Sequence, residues 1–134
     1  MSGAREPLIR EIELPAPFEG CYRRVRNSTP YAALLSSGTG YPFARFSYIG
    51  CDPFLVLRSS GSNQTIELPD RAEYRSGDPF DTLKEIIEGC EVRSDWDVAP
   101  FYAGGIGAFG FDLGRFIERL PSRAAVNLPL PAMV

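Results

Sequence analysis

Apolar positions recur along this chain with two different periods, and the switches between them divide it into elements. From Leu8 to Leu14 the spacing is that of a half-exposed strand, with Ile12 and Leu14 flanked by Glu11 and Glu13. Phe18, Cys21, Tyr22 and Val25 then fall at i, i+3, i+4 and i+7, one face of a helix that leaves Glu19, Arg23 and Arg24 outside. Asn27-Ser28-Thr29-Pro30 ends that helix, and the apolar run from Tyr31 to Leu35 has the length of a buried strand. After a turn at Ser36 to Gly40, Phe46 and Tyr48 alternate with small or polar residues. Phe54 to Arg58 continues in extended form beyond Cys51-Asp52-Pro53. Ser59-Ser60-Gly61-Ser62-Asn63 then reads as a medium-length loop leading to a strand from Thr65 to Leu68.

A helix is announced at Asp78 by an N-cap carboxylate, Pro79 at the first helical position and Asp81 in the first turn. Phe80, Leu83, Ile86 and Ile87 form its expected buried stripe, and Gly89 marks its end. Cys90 to Ala99, polar around Trp96, reads as a surface connection into a strand at Phe101. A short last helix is expected through Leu113, Phe116, Ile117 and Leu120, capped by Asp112 and closed by Pro121. Strand runs dominate and no βαβ alternation occurs. The fold expected is therefore α+β: a largely antiparallel β-sheet with two or three packed helices, in a single domain over residues 1–134.

Composition narrows the chemistry. With 44% hydrophobic residues the chain can fill an ordinary core, and 14 basic against 17 acidic residues leave no excess for neutralising nucleic-acid phosphates. Arg23, Arg24 and Arg26 lie at helical spacing, as on a solvated face. Three widely separated cysteines, Cys21, Cys51 and Cys90, fit neither a disulfide framework nor paired metal ligands. The first residues lack the apolar core of a signal peptide and no window approaches a membrane span, so a cytoplasmic location is expected. Histidine is absent, which removes imidazole bases, nucleophilic dyads with histidine and imidazole metal ligands together.

Gly105-Ile106-Gly107-Ala108-Phe109-Gly110 matches the G-x-G-x-x-G pattern of a dinucleotide loop. Such a site also needs a long helix, a second parallel strand and an acidic residue about twenty positions on. Prolines at 121, 129 and 131 leave no room for them, and no lysine follows to make a phosphate-binding P-loop. The structural reading is that Gly104, Gly105, Gly107 and Gly110 let a strand bend, with Phe101, Phe109 and Phe111 packing around it.

The run from Gly104 to Arg115, continued by Glu118-Arg119-Leu120-Pro121, closely resembles a signature of the large subunits of anthranilate synthase and aminodeoxychorismate synthase. Leu34-Leu35-Ser36-Ser37-Gly38, then Ala44-Arg45-Phe46-Ser47-Tyr48-Ile49-Gly50, Asp52-Pro53 and Asp78-Pro79-Phe80 resemble the same family in the same order. The Gly-Arg after Asp-Leu and the Glu-Arg-Leu-Pro ending look more like the aminodeoxychorismate (para-aminobenzoate synthase component I) branch. The resemblance implies the N-terminal part of the component I-like fold, in a protein whose chorismate-binding catalytic domain lies beyond Val134. That protein would convert chorismate to 4-amino-4-deoxychorismate, for p-aminobenzoate and folate synthesis, with Mg2+ in the later domain. Its ammonia would come from a glutamine amidotransferase subunit. No cofactor and no catalytic residue is expected in this chain. The alternatives are the anthranilate branch with tryptophan feedback, and a stand-alone small-ligand or protein-binding module.

In this family the N-terminal region commonly carries a tryptophan pocket, and the matching positions are Leu35, Ser37, Phe43, Ala44, Arg45 and Phe46. A hydroxyl and a guanidinium can serve the polar ends of an amino acid while aromatic rings enclose its indole. Ser36 stands where many members have a carboxylate for the ligand's ammonium, so inhibition by tryptophan is not expected; the family pocket is also completed by a strand of the later domain, so this chain is expected to bind tryptophan weakly or not at all. On the residues alone, Ser37 ends a strand, Arg45 pairs with a surface carboxylate, and Phe43 and Phe46 are core. Apolar sheet surface meant for the absent domain is expected to make the chain self-associate.

Overall fold

The structure is a computed structural model that describes residues 7–38, 40–90, 92, 95, 97, 99–121, 131, 133 and 134. The chain divides into two compact units. One comprises Gly3–Pro53 with Val92–Ile106, and the other Met1–Ser2, Phe54–Glu91 and Gly107–Val134. They are called below the hairpin unit and the sheet unit.

In the hairpin unit, helix α1 (Phe18–Ser28) is followed by antiparallel strands β1 (Ala32–Leu35) and β2 (Tyr48–Cys51), against both of which it packs. Its expected face holds: Phe18, Cys21, Tyr22 and Val25 are half-buried, while Glu19, Arg23, Arg24 and Arg26 are exposed. Glu19 in the first turn and Arg26 in the last suit the helix dipole. The hydroxyl of Ser28 closes the helix by donating to the carbonyls of Arg24 and Val25, at 3.2 and 3.0 Å. The run expected as a buried strand is only half-buried, and Leu35 is exposed, because two strands and one helix cannot cover both faces. Leu8 to Leu14 forms no strand. Leu8, Ile12 and Leu14 are exposed, and no described strand pairs with the segment, so alternation alone does not make a ladder.

In the sheet unit, β3 (Val56–Ser60), β4 (Asn63–Glu67) and β5 (Ala72–Ser76) form an antiparallel meander in the order β3-β4-β5. The expected medium loop is a two-residue turn, because Ser60 already pairs with Asn63. Gly61 takes φ +59 and Ser62 does not share the positive φ, the II′ geometry that matches strand twist and that glycine adopts without strain. On the far edge of β3, Ser59 bridges Met133, which in turn bridges Phe109. Ser59 N–H donates to the Met133 carbonyl at 2.9 Å, and Ala108 and Val134 exchange bonds of 2.8 and 3.0 Å.

One face of this sheet carries the core. Leu57, Ile66, Leu113 and Met133 are buried, with Leu55, Leu68, Phe80, Leu83, Ile86 and Phe116 packed against them. Helix α2 (Pro79–Gly89) starts as expected: the Asp78 carboxylate accepts from the Phe80 N–H at 2.8 Å, and Pro79 fills the first helical position. Its buried face differs from the expected one. Pro79, Thr82, Leu83 and Ile86 stand at i, i+3, i+4 and i+7, and Ile87 is 62% exposed, so a proline and a threonine complete the stripe. Asp78→Ala should cost about 1 kcal/mol in denaturant titration, the usual worth of a side-chain N-cap.

The Phe101 region is not a strand, and Phe109 and Phe111, expected to pack, are exposed. The last helix is a 3-10 helix, Phe111–Phe116, whose three-residue repeat buries Leu113 beside the half-buried Phe116 and leaves Ile117 outside. It starts after Gly110, so Asp112 lies in the first turn rather than at the cap, and its carboxylate accepts from Arg115 Nε at 3.1 Å. Of the connection expected from Cys90 to Ala99, residues 91, 93, 94, 96 and 98 lie outside the described residues. The architecture is α+β with antiparallel sheets and few helices.

Candidate functional site

The residues singled out in the sequence all fall in the hairpin unit, around the open end of its ladder. Leu35 pairs directly with Tyr48 and Ala33 with Gly50, and directly opposed residues share a face, so these four point to one side. Phe46, two residues before Tyr48, stacks on it with ring centroids 6.5 Å apart and an interplanar angle of 25°. Phe101 meets Tyr48 edge-on at 5.3 Å. Ile106 covers Gly50 so closely that a Cβ there would stand 2.9 Å from its Cδ1. The 99–106 segment therefore lies across this face.

Polar groups collect at the same end. Ser37 N–H donates to Ser47 Oγ at 3.1 Å, and the two hydroxyls lie 3.2 Å apart. They share one hydrogen bond, which leaves one O–H free to donate outward. Ser36 Oγ accepts from the Gly38 N–H at 3.3 Å, a local turn contact. The Arg45 guanidinium stands over the Phe46 ring, 5.2 Å from its centroid, an arrangement worth about 0.5–1 kcal/mol at an exposed site.

Of the six positions, Ser37 and Leu35 sit at the ladder end, and Arg45 and Phe46 continue the aromatic row. Ala44 is half-buried in the turn, its N–H donating to the Tyr41 carbonyl at 3.0 Å. Phe43 is 92% exposed and encloses nothing in the hairpin unit. Two readings made on the residues alone also change: Phe43 is not core, and Arg45 makes no ion pair among the described residues. Ser47, Tyr48 and Phe101 belong to the cluster and were not among the six. The alternation of Phe46 with Tyr48 carried a signal for Tyr48, whereas nothing local links Phe101 to it.

The arrangement can hold a flat apolar group against the aromatic row and a hydrogen-bond acceptor at the serine pair. Residues 35–48 and 99–106 contain no Asp, Glu, His or Lys, so the ionisable side chains there are Arg45 and the phenols of Tyr41, Tyr48 and Tyr102. Among the described residues no group of three or more His, Cys, Asp or Glu could hold a metal ion. The three cysteines are free, and among the described residues no helix is long and apolar enough to cross a membrane.

No family model matches the chain. Individual relatives do. Aminodeoxychorismate synthase component 1 of Escherichia coli K12 is 31% identical over 106 residues, 78% of this chain and 23% of its own length. The protein of the same name from Salmonella typhimurium is 34% identical over 109 residues, 80% of this chain and 24% of its own. Anthranilate synthase component 1 of Synechocystis is 33% identical over 120 residues, 86% of this chain and 23% of its own. All three are component 1 subunits of synthases, a naming that implies a partner subunit for them. The chain belongs to their family, that of aminodeoxychorismate synthase component 1 and anthranilate synthase component 1. It spans about a quarter of the length of the curated relatives it matches.

Proposed function

We propose that this chain is the N-terminal scaffold and regulatory region of an aminodeoxychorismate synthase component I. In the whole protein, chorismate and ammonia, delivered by a glutamine amidotransferase subunit, become 4-amino-4-deoxychorismate in the cytoplasm, with Mg2+ held by a later domain. The observation that carries this reading is the 31–34% identity over about four fifths of the chain to enterobacterial relatives bearing that name. The aromatic row of Phe46, Tyr48 and Phe101 beside the Ser37–Ser47 hydroxyl pair supports a ligand-holding role for this region.

The anthranilate branch is the second reading, favoured by the longer match, 86% of the chain, to the Synechocystis relative. One assay separates the two. The protein that carries this chain, given chorismate, Mg2+ and ammonia, should release 4-amino-4-deoxychorismate, while residues 1–134 alone should turn over nothing. Anthranilate as product would move the protein to the other branch, and unchanged chorismate would remove the assignment.

A further inference from the structure

We propose that β5 is a docking edge for a second copy of this chain, and that two copies pair antiparallel through it about a two-fold axis at Tyr74. The sheet then runs on without a break from one copy into the other.

The backbone is in phase for this. Strand β5 pairs with β4 on one side, and among the described residues no strand or bridge occupies its other side. The bonds that join it to β4 fix which way each residue faces. Leu68 N–H donates to the Arg71 carbonyl at 2.8 Å and Gly77 N–H to the Ser62 carbonyl at 3.0 Å, so the odd-numbered positions turn their backbone groups toward β4. Ala72, Tyr74 and Ser76 therefore aim N–H and C=O outward, and all three residues are exposed. Two antiparallel copies centred on Tyr74 match these groups: Tyr74 meets Tyr74, and Ala72 meets Ser76 on either side, each a pair that exchanges both bonds.

The side chains select the same register. Ala72-Glu73-Tyr74-Arg75-Ser76 carries opposite charges on either side of a central aromatic residue. With Tyr74 on the axis, Glu73 of each copy stands opposite Arg75 of the other, at the positions without backbone bonds, where Cα atoms are about 4.5 Å apart and side chains lie closest. A slip of two residues sets Glu73 against Glu73 or Arg75 against Arg75, and parallel in-register pairing sets every charge against its like. Charges of one sign on an edge strand keep copies apart, whereas this edge has one of each, placed to attract.

The neighbouring charges leave room for these pairs. Arg71 pairs with Asp70 and Glu73, and Arg75 Nη1 with Glu85 at 2.8 Å. Arg75 Nη2 is 4.0 Å from Glu73 Oε2, too far for a hydrogen bond, so both atoms can turn to the second copy. On the other face, Tyr74 is 80% exposed, and the axis brings two such rings side by side, covering surface that one copy leaves in water. Gly77, at φ +144, turns the chain out of the sheet, so the pairing ends before Asp78 would meet Asp70 of the other copy.

The apolar surface named above would associate without regard to these charges, and charge variants tell the two routes apart. Sedimentation equilibrium of the chain from about 10 µM to 1 mM, the range of a small interface, should show monomer passing to dimer. Glu73→Arg and Arg75→Glu, each alone, put like charges opposite one another and should raise the dimer dissociation constant at least about ten-fold. Mixing the two variants restores every Glu–Arg pair, as does the exchange E73R/R75E in one chain, and both should dimerise as tightly as the unaltered protein. Rescue by mixing also excludes misfolding of either variant as the cause of the loss. Amide exchange followed by nuclear magnetic resonance reads the register: at high concentration Ala72, Tyr74 and Ser76 should gain protection, while Glu73 and Arg75, already bonded to β4, should not change. A chain that stays monomeric at the top of that range, an association indifferent to both single variants, or protection gained only elsewhere would overturn the proposal.

Discussion

Ile66→Ala should lower the unfolding free energy of the sheet unit by about 3 kcal/mol, the middle of the range for removing a large buried aliphatic side chain. Ile66 is 3% exposed and pairs with Leu57 across β3 and β4, at the centre of a core with only four fully buried apolar residues among those described. A core that small has little capacity to close around a void. Against a typical total of about 5–15 kcal/mol, the loss moves the chain well toward its unfolded population. Ile87→Ala is the matched control: the same side chain is deleted from a position 62% exposed, with an expected change under about 0.5 kcal/mol. Urea titration followed by far-ultraviolet circular dichroism reads both. Equal midpoints for the two variants would mean that the core does not lie between β3, β4 and α2.

Gly107→Ala should detach Val134 from its place beside Ala108 at a cost of about 2 kcal/mol, roughly the net worth of two backbone hydrogen bonds. An added Cβ would stand 2.7 Å from the Val134 carbonyl oxygen, a backbone atom that cannot swing aside. That carbonyl also accepts the 2.8 Å bond from Ala108, so any movement that relieves the clash breaks the pairing. Met133, 2% exposed and bonded to Ser59, is held by the same short segment. Amide hydrogen exchange at Ala108, Val134 and Ser59 should quicken together by at least about ten-fold, the ratio that matches a loss near 1.4 kcal/mol. Gly105→Ala, with nothing within 4 Å of the added carbon, should leave those rates unchanged. Protection surviving in Gly107→Ala would show that the 107–134 contact is not close.

Both helices were readable because their signals are local. α1 shows its face in four apolar residues, and α2 its start in Asp78-Pro79. What the sequence hid depends on partners far along the chain. β5 contains Ala72, Glu73, Tyr74, Arg75 and Ser76, and its one strong strand former, Tyr74, is 80% exposed, so pairing with β4 rather than pattern makes it a strand. Leu8 to Leu14 has the pattern without a described pairing partner and stays irregular. In α2, counting only Phe80, Leu83, Ile86 and Ile87 as apolar turned the expected face away from Pro79 and Thr82.

The candidate site divides in the same way. Leu35 and Ser37 come together with Phe46 through the ladder and the Ser47 contacts, which the order of motifs foreshadowed. Phe101 joins across more than fifty residues, a contact that no window of sequence contains. The exposure of Phe43 was equally illegible, since an aromatic residue in a turn reads the same in either orientation.

The bridge between Ser59 and Met133 also sets an order of events during synthesis. β3, β4 and β5 can pair as soon as they emerge, because each lies next to its partner in sequence. The outer edge of β3 waits for Met133. At typical elongation rates of about 5–20 residues per second, that wait lasts on the order of 4–15 s. Throughout it, the growing chain presents an unpaired strand edge and an incomplete core, the surfaces most prone to wrong pairing with neighbouring nascent chains. Slower translation through the glycine-rich stretch would lengthen that exposure.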